Sequence, residues 1–171
     1  MKNVVGIAFL AGCMAMAAWA GETTGSAPPL GKLASLVGTW RGETDMKHDG
    51  KMEPFTVSYK LTAGGSALVE TLMAGSPHEM VTMYTRDKGD FIATHYCMAQ
   101  NQPRMRAKDT IEDNRLDFEF VGATGMASPE AAHMHSLSIA FTDDDHITQT
   151  WSHFEGGKET SKVVFPLTRQ K

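Results

Sequence analysis

From Val37 to Arg169 the chain is a succession of short segments in which apolar and polar residues alternate. FTVSYKL puts Phe55, Val57, Tyr59 and Leu61 on one face, and RLDFEFVG does the same with Leu116, Phe118 and Phe120. A period of two is that of a β-strand half-buried on one side. VGTWRGE, SALVETLM, MVTMYTR, DFIATHYCM, PRMRAKD, HMHSLSIAF, HITQTWSHF and KVVFPLTR complete a set of about ten such segments, separated by clusters of Gly, Asp, Asn and Pro. No helical stretch stands between them to carry a parallel crossover. The pattern therefore predicts an all-β fold with antiparallel neighbours, an up-and-down barrel of about ten strands or else a sandwich. The exception precedes the strands: LGKLASLVG sets Leu30, Leu33, Leu36 and Val37 at helical spacing and predicts one short helix.

The first twenty residues have a different character. MKNVVGIAFLAGCMAMAAWA begins with one Lys, continues as apolar or small residues, and ends Ala18-Trp19-Ala20, the order of a secretory signal peptide cleaved before Gly21. Leu10-Ala11-Gly12-Cys13 also resembles a bacterial lipobox, in which the Cys is acylated. The apolar run from Met14 to Ala20 is unlike the polar tether of a lipoprotein, and the expectation is ordinary cleavage, with export to the periplasm or medium. Residues 21–29 are a polar, Pro- and Gly-rich leader, and 30–171 form a single domain. Loss of Lys2 would move the net charge from −4 to −5. A mildly acidic chain without a basic stripe does not suit nucleic acid or anionic lipid, so membrane attachment would need acylation of Cys13. With Cys13 removed, Cys97 has no intramolecular partner, and apolar burial alone must hold the domain.

A short helix, then Gly38-Thr39-Trp40 opening the first strand, then Arg169 ending Phe165-Pro166-Leu167-Thr168-Arg169 in the last: this order resembles the calycin superfamily of lipocalins, fatty-acid-binding proteins and nitrobindin-like barrels. The resemblance spans residues 30–169 as an arrangement, not as a run of identities. It implies that Trp40 closes the barrel floor with Arg169 over its ring. THYCMAQNQPRM further resembles small exported bacterial proteins of unknown function. Nitrobindin carries haem on a His of its last strand; SKVVFPLTR has none, and the nearest is His153, one strand earlier.

Residues two apart on a strand share a face, so the apolar residues identify the inside. Leu137, Ile139 and Phe141 bring His133 and His135 to that face; Ile147 and Trp151 bring Gln149 and His153. In DFIATHYCM the two faces are matched, and the choice falls on Phe91, His95 and Cys97 because Cys is usually buried. AQNQP is ordinary turn chemistry and makes the turn at the rim, with Arg104 beginning the next strand near the mouth. Buried polar groups are costly unless paired. An interior with His95, Cys97, His133, His135, Gln149 and His153, joined at the mouth by Arg104, is therefore read as one that holds a small apolar or amphipathic molecule.

Two other readings stay open. His133-x-His135 has the spacing to chelate from one strand face, and His153 falls between them if Phe141 pairs with His146, which would suit zinc or copper, with haem as the weaker option. Some calycin-like barrels are cyclases or isomerases, but no residue pair here makes an enzyme specific. Met46-x-His48 with Met52 has copper-site composition in what is also a polar hairpin loop, and Asp143-Asp144-Asp145 reads as a solvated turn lacking calcium-loop spacing. There is no phosphate loop, GxSxG or CxxC.

Overall fold

The computed structural model describes residues 30–45, 50–108 and 113–171. The expected signal peptide with Cys13, the expected 21–29 leader and Met46-x-His48 lie outside them. Ten strands follow one another: β1 (Gly38–Thr44), β2 (Glu53–Thr62), β3 (Ala67–Leu72), β4 (Met80–Asp87), β5 (Asp90–Tyr96), β6 (Gln102–Ala107), β7 (Arg115–Thr124), β8 (His133–Phe141), β9 (His146–Glu155) and β10 (Lys158–Arg169). Each pairs antiparallel with its sequence neighbours, and β1 pairs with β10, so the sheet closes into a barrel. The alternative sandwich is thereby eliminated. The alternation read from sequence is the observed inside–outside pattern, as in β7, where Leu116 and Phe118 are buried between exposed neighbours.

The predicted helix is a single 3-10 segment, Gly31–Leu36, and it stoppers one end. Leu30, Leu33 and Leu36 are fully buried there, and Trp40 is 1% exposed above them. The Trp40 indole N–H donates to the Leu36 carbonyl at 2.8 Å. The Arg169 guanidinium lies 4.2 Å from the Trp40 ring and donates to the carbonyls of Val37, Ser35 and Asp144. A cation over an indole face adds attraction to the five N–H donors the guanidinium must satisfy. This end is the floor.

The seam between β1 and β10 is short: only Trp40↔Arg169 and Arg41↔Thr168 are in register. Beyond it Pro166 has no N–H to give a ladder. Side chains close the wall instead. A Cβ on Gly42 would stand 2.8 Å from the Leu167 side chain and 2.9 Å from the Phe55 ring, so glycine is what lets them meet. Phe55 and Phe165 pack edge-to-face with centroids 4.9 Å apart.

The opposite end, the rim, carries the loops 73–79, 97–101 and 125–132 and the β9–β10 turn. AQNQP does lie in the rim turn between β5 and β6, closed by Cys97 N–H→Asn101 O at 3.1 Å. Asp143–Asp145 is likewise the turn between β8 and β9, at the floor end, with Thr142 N–H→His146 O at 2.9 Å.

Candidate functional site

Half-way along the barrel the apolar filling is interrupted. Glu70 of β3 is 1% exposed and is the one acidic or basic residue, histidine aside, that is buried among the described residues. Its Oε2 accepts from the Tyr84 hydroxyl at 2.5 Å and its Oε1 from Gln149 Nε2 at 2.9 Å. The same Gln149 Nε2 donates to the Tyr59 hydroxyl at 2.5 Å, and Trp151 Nε1–H donates to Gln149 Oε1 at 3.1 Å. Burial pushes the Glu70 carboxyl up from its ordinary range, against the two hydrogen bonds, which favour the anion. Burial, then the Glu70 charge, pushes both tyrosines up, so they stay protonated donors and acceptors.

The network continues toward the rim through β4 and β5. Thr82, two residues from Tyr84 on the same face, has its hydroxyl 3.0 Å from His95 Nδ1. Burial lowers the His95 pKa to about 4, so its ring is neutral at pH 7. The ring packs against Trp151, centroids 4.8 Å apart, and Nε2 has no hydrogen-bond partner.

β5 faces as read from sequence: Phe91, Ala93 and His95 are buried, whereas Tyr96 and Met98 are exposed. Thr94 pairs with Arg104, which places Pro103 opposite His95 and Asn101 opposite Cys97. His95, Cys97, Asn101 and Pro103 thus share one patch of inner wall at the rim, with Cys97 a half-buried free thiol. Asn101, 2% exposed, donates from Nδ2 to the Ala132 carbonyl at 2.8 Å, while its Oδ1 is buried and unpartnered. Gly125 seals this contact: at φ +73° it approaches so closely that a Cβ would lie 2.8 Å from the Gln100 carbonyl oxygen.

The remaining sequence candidates separate. Gln149 lies at the centre of the network. His133 and His135 do come together, His133 Nδ1–H donating to Ala131 O at 2.7 Å and its Nε2 standing 3.0 Å from His135 Nδ1. They form an aromatic stack at the rim, with His135 between Phe120 and Phe154 at 4.7 and 3.8 Å. Burial, then neighbouring His133, lowers the His135 pKa. His153 does not join them. A β-bulge between Met134 and Ser136 pairs Ser136 with Ser152 and Met134 with His153, and the His153 ring bonds the Thr160 hydroxyl at 2.8 Å. His133 does fall opposite residue 154, but the bulge takes His135 out of its place opposite 152. Among the described residues, no three His, Cys, Asp or Glu side chains gather as metal ligands would. Arg104 is exposed, between buried Pro103 and Met105, and so lies on the outer wall. Two grooves of about 500 and 580 Å³ share the exposed Arg41 and Gln170 beside β1.

Sequence reasoning passed over Tyr59, Glu70, Thr82, Tyr84, Trp151 and Asn101 as site residues. Counting by twos from Leu68 and Leu72 puts Glu70 inside, the rule that was applied to the histidines.

No protein-family model matches the chain, and no curated protein is significantly similar to it. Solved structures are similar in fold. A protein of unknown function from the DUF3598 family of Nostoc punctiforme PCC 73102 superposes with TM-score 0.56 at 13% identity, over 86% of this chain and 53% of that one, so this chain spans about half its length. Rv2717c from M. tuberculosis superposes with TM-score 0.57 at 15% identity, over 85% of this chain and 99% of that one. Identities this low establish a shared barrel fold and nothing about chemistry.

Proposed function

We propose that this chain is an exported, calycin-type barrel that binds a small, partly apolar molecule through its rim, meeting it with the inner-wall patch of His95, Cys97 and Asn101. One observation carries the reading: two polar atoms within that patch, His95 Nε2 and Asn101 Oδ1, are buried without a hydrogen-bond partner. An unpaired buried polar group costs about 1–3 kcal/mol, and a ligand that pairs with it recovers that cost. The floor argues for the same polarity of use, since the helix, Trp40 and Arg169 seal it and leave the loop-bearing end for entry. Neither haem nor a metal has comparable support. β10 contains no histidine, and the His133–His135 pair is already stacked and hydrogen-bonded. The test is native mass spectrometry of protein purified from its exported location. A retained organic mass of a few hundred daltons, lost on denaturation, is the expected result. A bare polypeptide mass, together with no chemical-shift change at His95 or Trp151 on adding small amphiphiles, would overturn the reading.

A further inference from the structure

We propose that residues 125–132 are the gate of the barrel, a strap across a slot that the wall itself leaves open, and that the Asn101 side chain is its latch. The proposal rests on the binding reading above and supplies the way in to the rim patch.

The slot follows from the ladder. β7 and β8 pair from Arg115↔Ala140 to Glu119↔Ser136 and no further. Just rimward of that last pair each strand carries one extra residue. Val121 lies between Phe120, opposite Met105, and Gly122, opposite Arg104; His135 lies between Met134, opposite His153, and Ser136, opposite Ser152. A β-bulge bends its strand and ends pairing, and barrel rims are where bulges commonly do so. Two of them at one level leave Phe120 to Thr124 paired with β6 alone, and His133 and Met134 with β9 alone. Side chains rather than backbone bonds bridge the parting: the Phe120 ring packs on His133 and His135 at 4.8 and 4.7 Å. Gly122, at φ +149° with open space around it, holds a backbone shape at the edge of the slot that other residues rarely adopt.

The strap over this slot is fastened lightly. None of residues 125–132 is buried, and none belongs to the core. Among the described residues two hydrogen bonds tie it to neighbouring turns. Asn101 Nδ2 donates to Ala132 O at 2.8 Å, and Gly156 N–H donates to Glu130 O at 2.9 Å. Segments with few buried apolar contacts open at a fraction of the cost of global unfolding. Asn101 is more than a fastener, because its Oδ1 is buried and unpartnered while the strap is closed. Opening frees both ends of its amide beside His95 and Cys97, where a ligand head group meets them.

The test needs no ligand. Iodoacetamide is reacted with Cys97, whose N–H bonds Asn101 O across the same turn, and the rate is read on the Cys97 peptide by mass spectrometry. Exchange of the Trp40 indole N–H, bonded to Leu36 at the floor, reports global unfolding in the same samples. Asn101→Ala cuts the latch. Gly125→Ala sets a methyl group 2.8 Å from the Gln100 carbonyl oxygen and so lifts the strap. Each is expected to speed Cys97 alkylation at least about fivefold, the weight of one hydrogen bond on an opening equilibrium. In low urea the Cys97 rate should stay nearly flat, because lifting the strap exposes little surface, while Trp40 exchange rises steeply. A Cys97 rate that climbs in step with Trp40 exchange, or one that neither substitution changes, overturns the gate. A retained organic mass together with that result leaves the binding site standing without its gate. A bare native mass beside the expected rates removes the ligand and leaves the gate.

Discussion

The two ends of this barrel handle buried polar groups in opposite ways. At the floor the two groups that close it are fully engaged: the Trp40 indole bonds Leu36, and the Arg169 guanidinium is spread over three carbonyls with Asp145 3.3 Å from its Nε. At the rim His95 and Asn101 are as deeply buried, yet each has an atom with nothing to pair with. Trp40 and Arg169 show that the chain has the means to saturate such groups, and at His95 and Asn101 it does not. Unsatisfied polarity that persists in an otherwise well-packed protein marks the place where a structure is completed by something else. The floor is thus the part that makes the barrel, and in the function proposed above the rim is the part through which it acts.

Breaking the floor should have the largest consequence. Trp40→Ala removes a buried indole, its hydrogen bond and the surface under Arg169, and is expected to cost about 3–5 kcal/mol in denaturant unfolding. A loss below about 1 kcal/mol would mean that the floor does not hold the barrel shut. The middle of the barrel comes next. Gln149→Leu leaves Trp151 Nε1–H, Glu70 Oε1 and the Tyr59 hydroxyl each short of a partner, and is expected to cost about 3 kcal/mol. Glu70→Gln should be milder, because the side chain still offers an acceptor to Tyr84 while shedding an unbalanced buried charge.

Most of the architecture was legible before any coordinates, because strand periodicity, turn residues and a closing Trp–Arg pair are local signals that survive in a single sequence. VGTWRGE and KVVFPLTR even identified the two strands that meet at the seam. The site was legible only in part. Gln149 and His95 follow from counting by twos, and Glu70 would have followed too. His135 and His153 could not be placed together correctly, because a β-bulge inserts one residue into β8 and no turn signal announces it. Asn101 was hidden for another reason: within AQNQP it reads as turn chemistry, and only the 125–132 loop folded over it turns it into a buried group.

The pH dependence of stability separates the two ends without altering packing. The unfolded His95 titrates near the ordinary histidine value of 6.5 and the folded one at about 4. Between those values the unfolded chain binds the proton and the folded chain does not. The His95 contribution is therefore intact above pH 6.5, falls as pH drops, and has lost about 3 kcal/mol by pH 4. Glu70 acts with the opposite sign. Its raised folded pKa gives stability that is present at low pH and lost as pH rises, so the wild-type curve alone blends the two. The measurement is the difference between wild type and His95→Phe, in which Glu70 is common. That difference should change by about 3 kcal/mol from pH 7 to pH 4. A difference independent of pH would show that His95 is protonated as easily folded as unfolded, and so is not sealed within the wall.

At pH 7 the same substitution is expected to have the smallest effect on stability, and this is its use. Replacing a buried imidazole by phenyl discards the unpartnered Nε2 and keeps the contact with Trp151. Against that, the Thr82 hydroxyl loses its hydrogen-bond partner, a loss of about 1 kcal/mol, comparable to the relief of the orphaned ring nitrogen. The two nearly cancel, so His95→Phe is expected to unfold within about 1 kcal/mol of wild type at pH 7, on either side. A structural histidine would behave differently: one that holds β4 to β5 through a fully used ring costs several kcal/mol to remove, as the floor tryptophan does. Near-neutrality at His95 beside a large loss at Trp40 would show the rim residue to be kept for something other than folding. A cost at His95 as large as at Trp40 would erase the distinction between the two ends and return the interior network to a purely structural role.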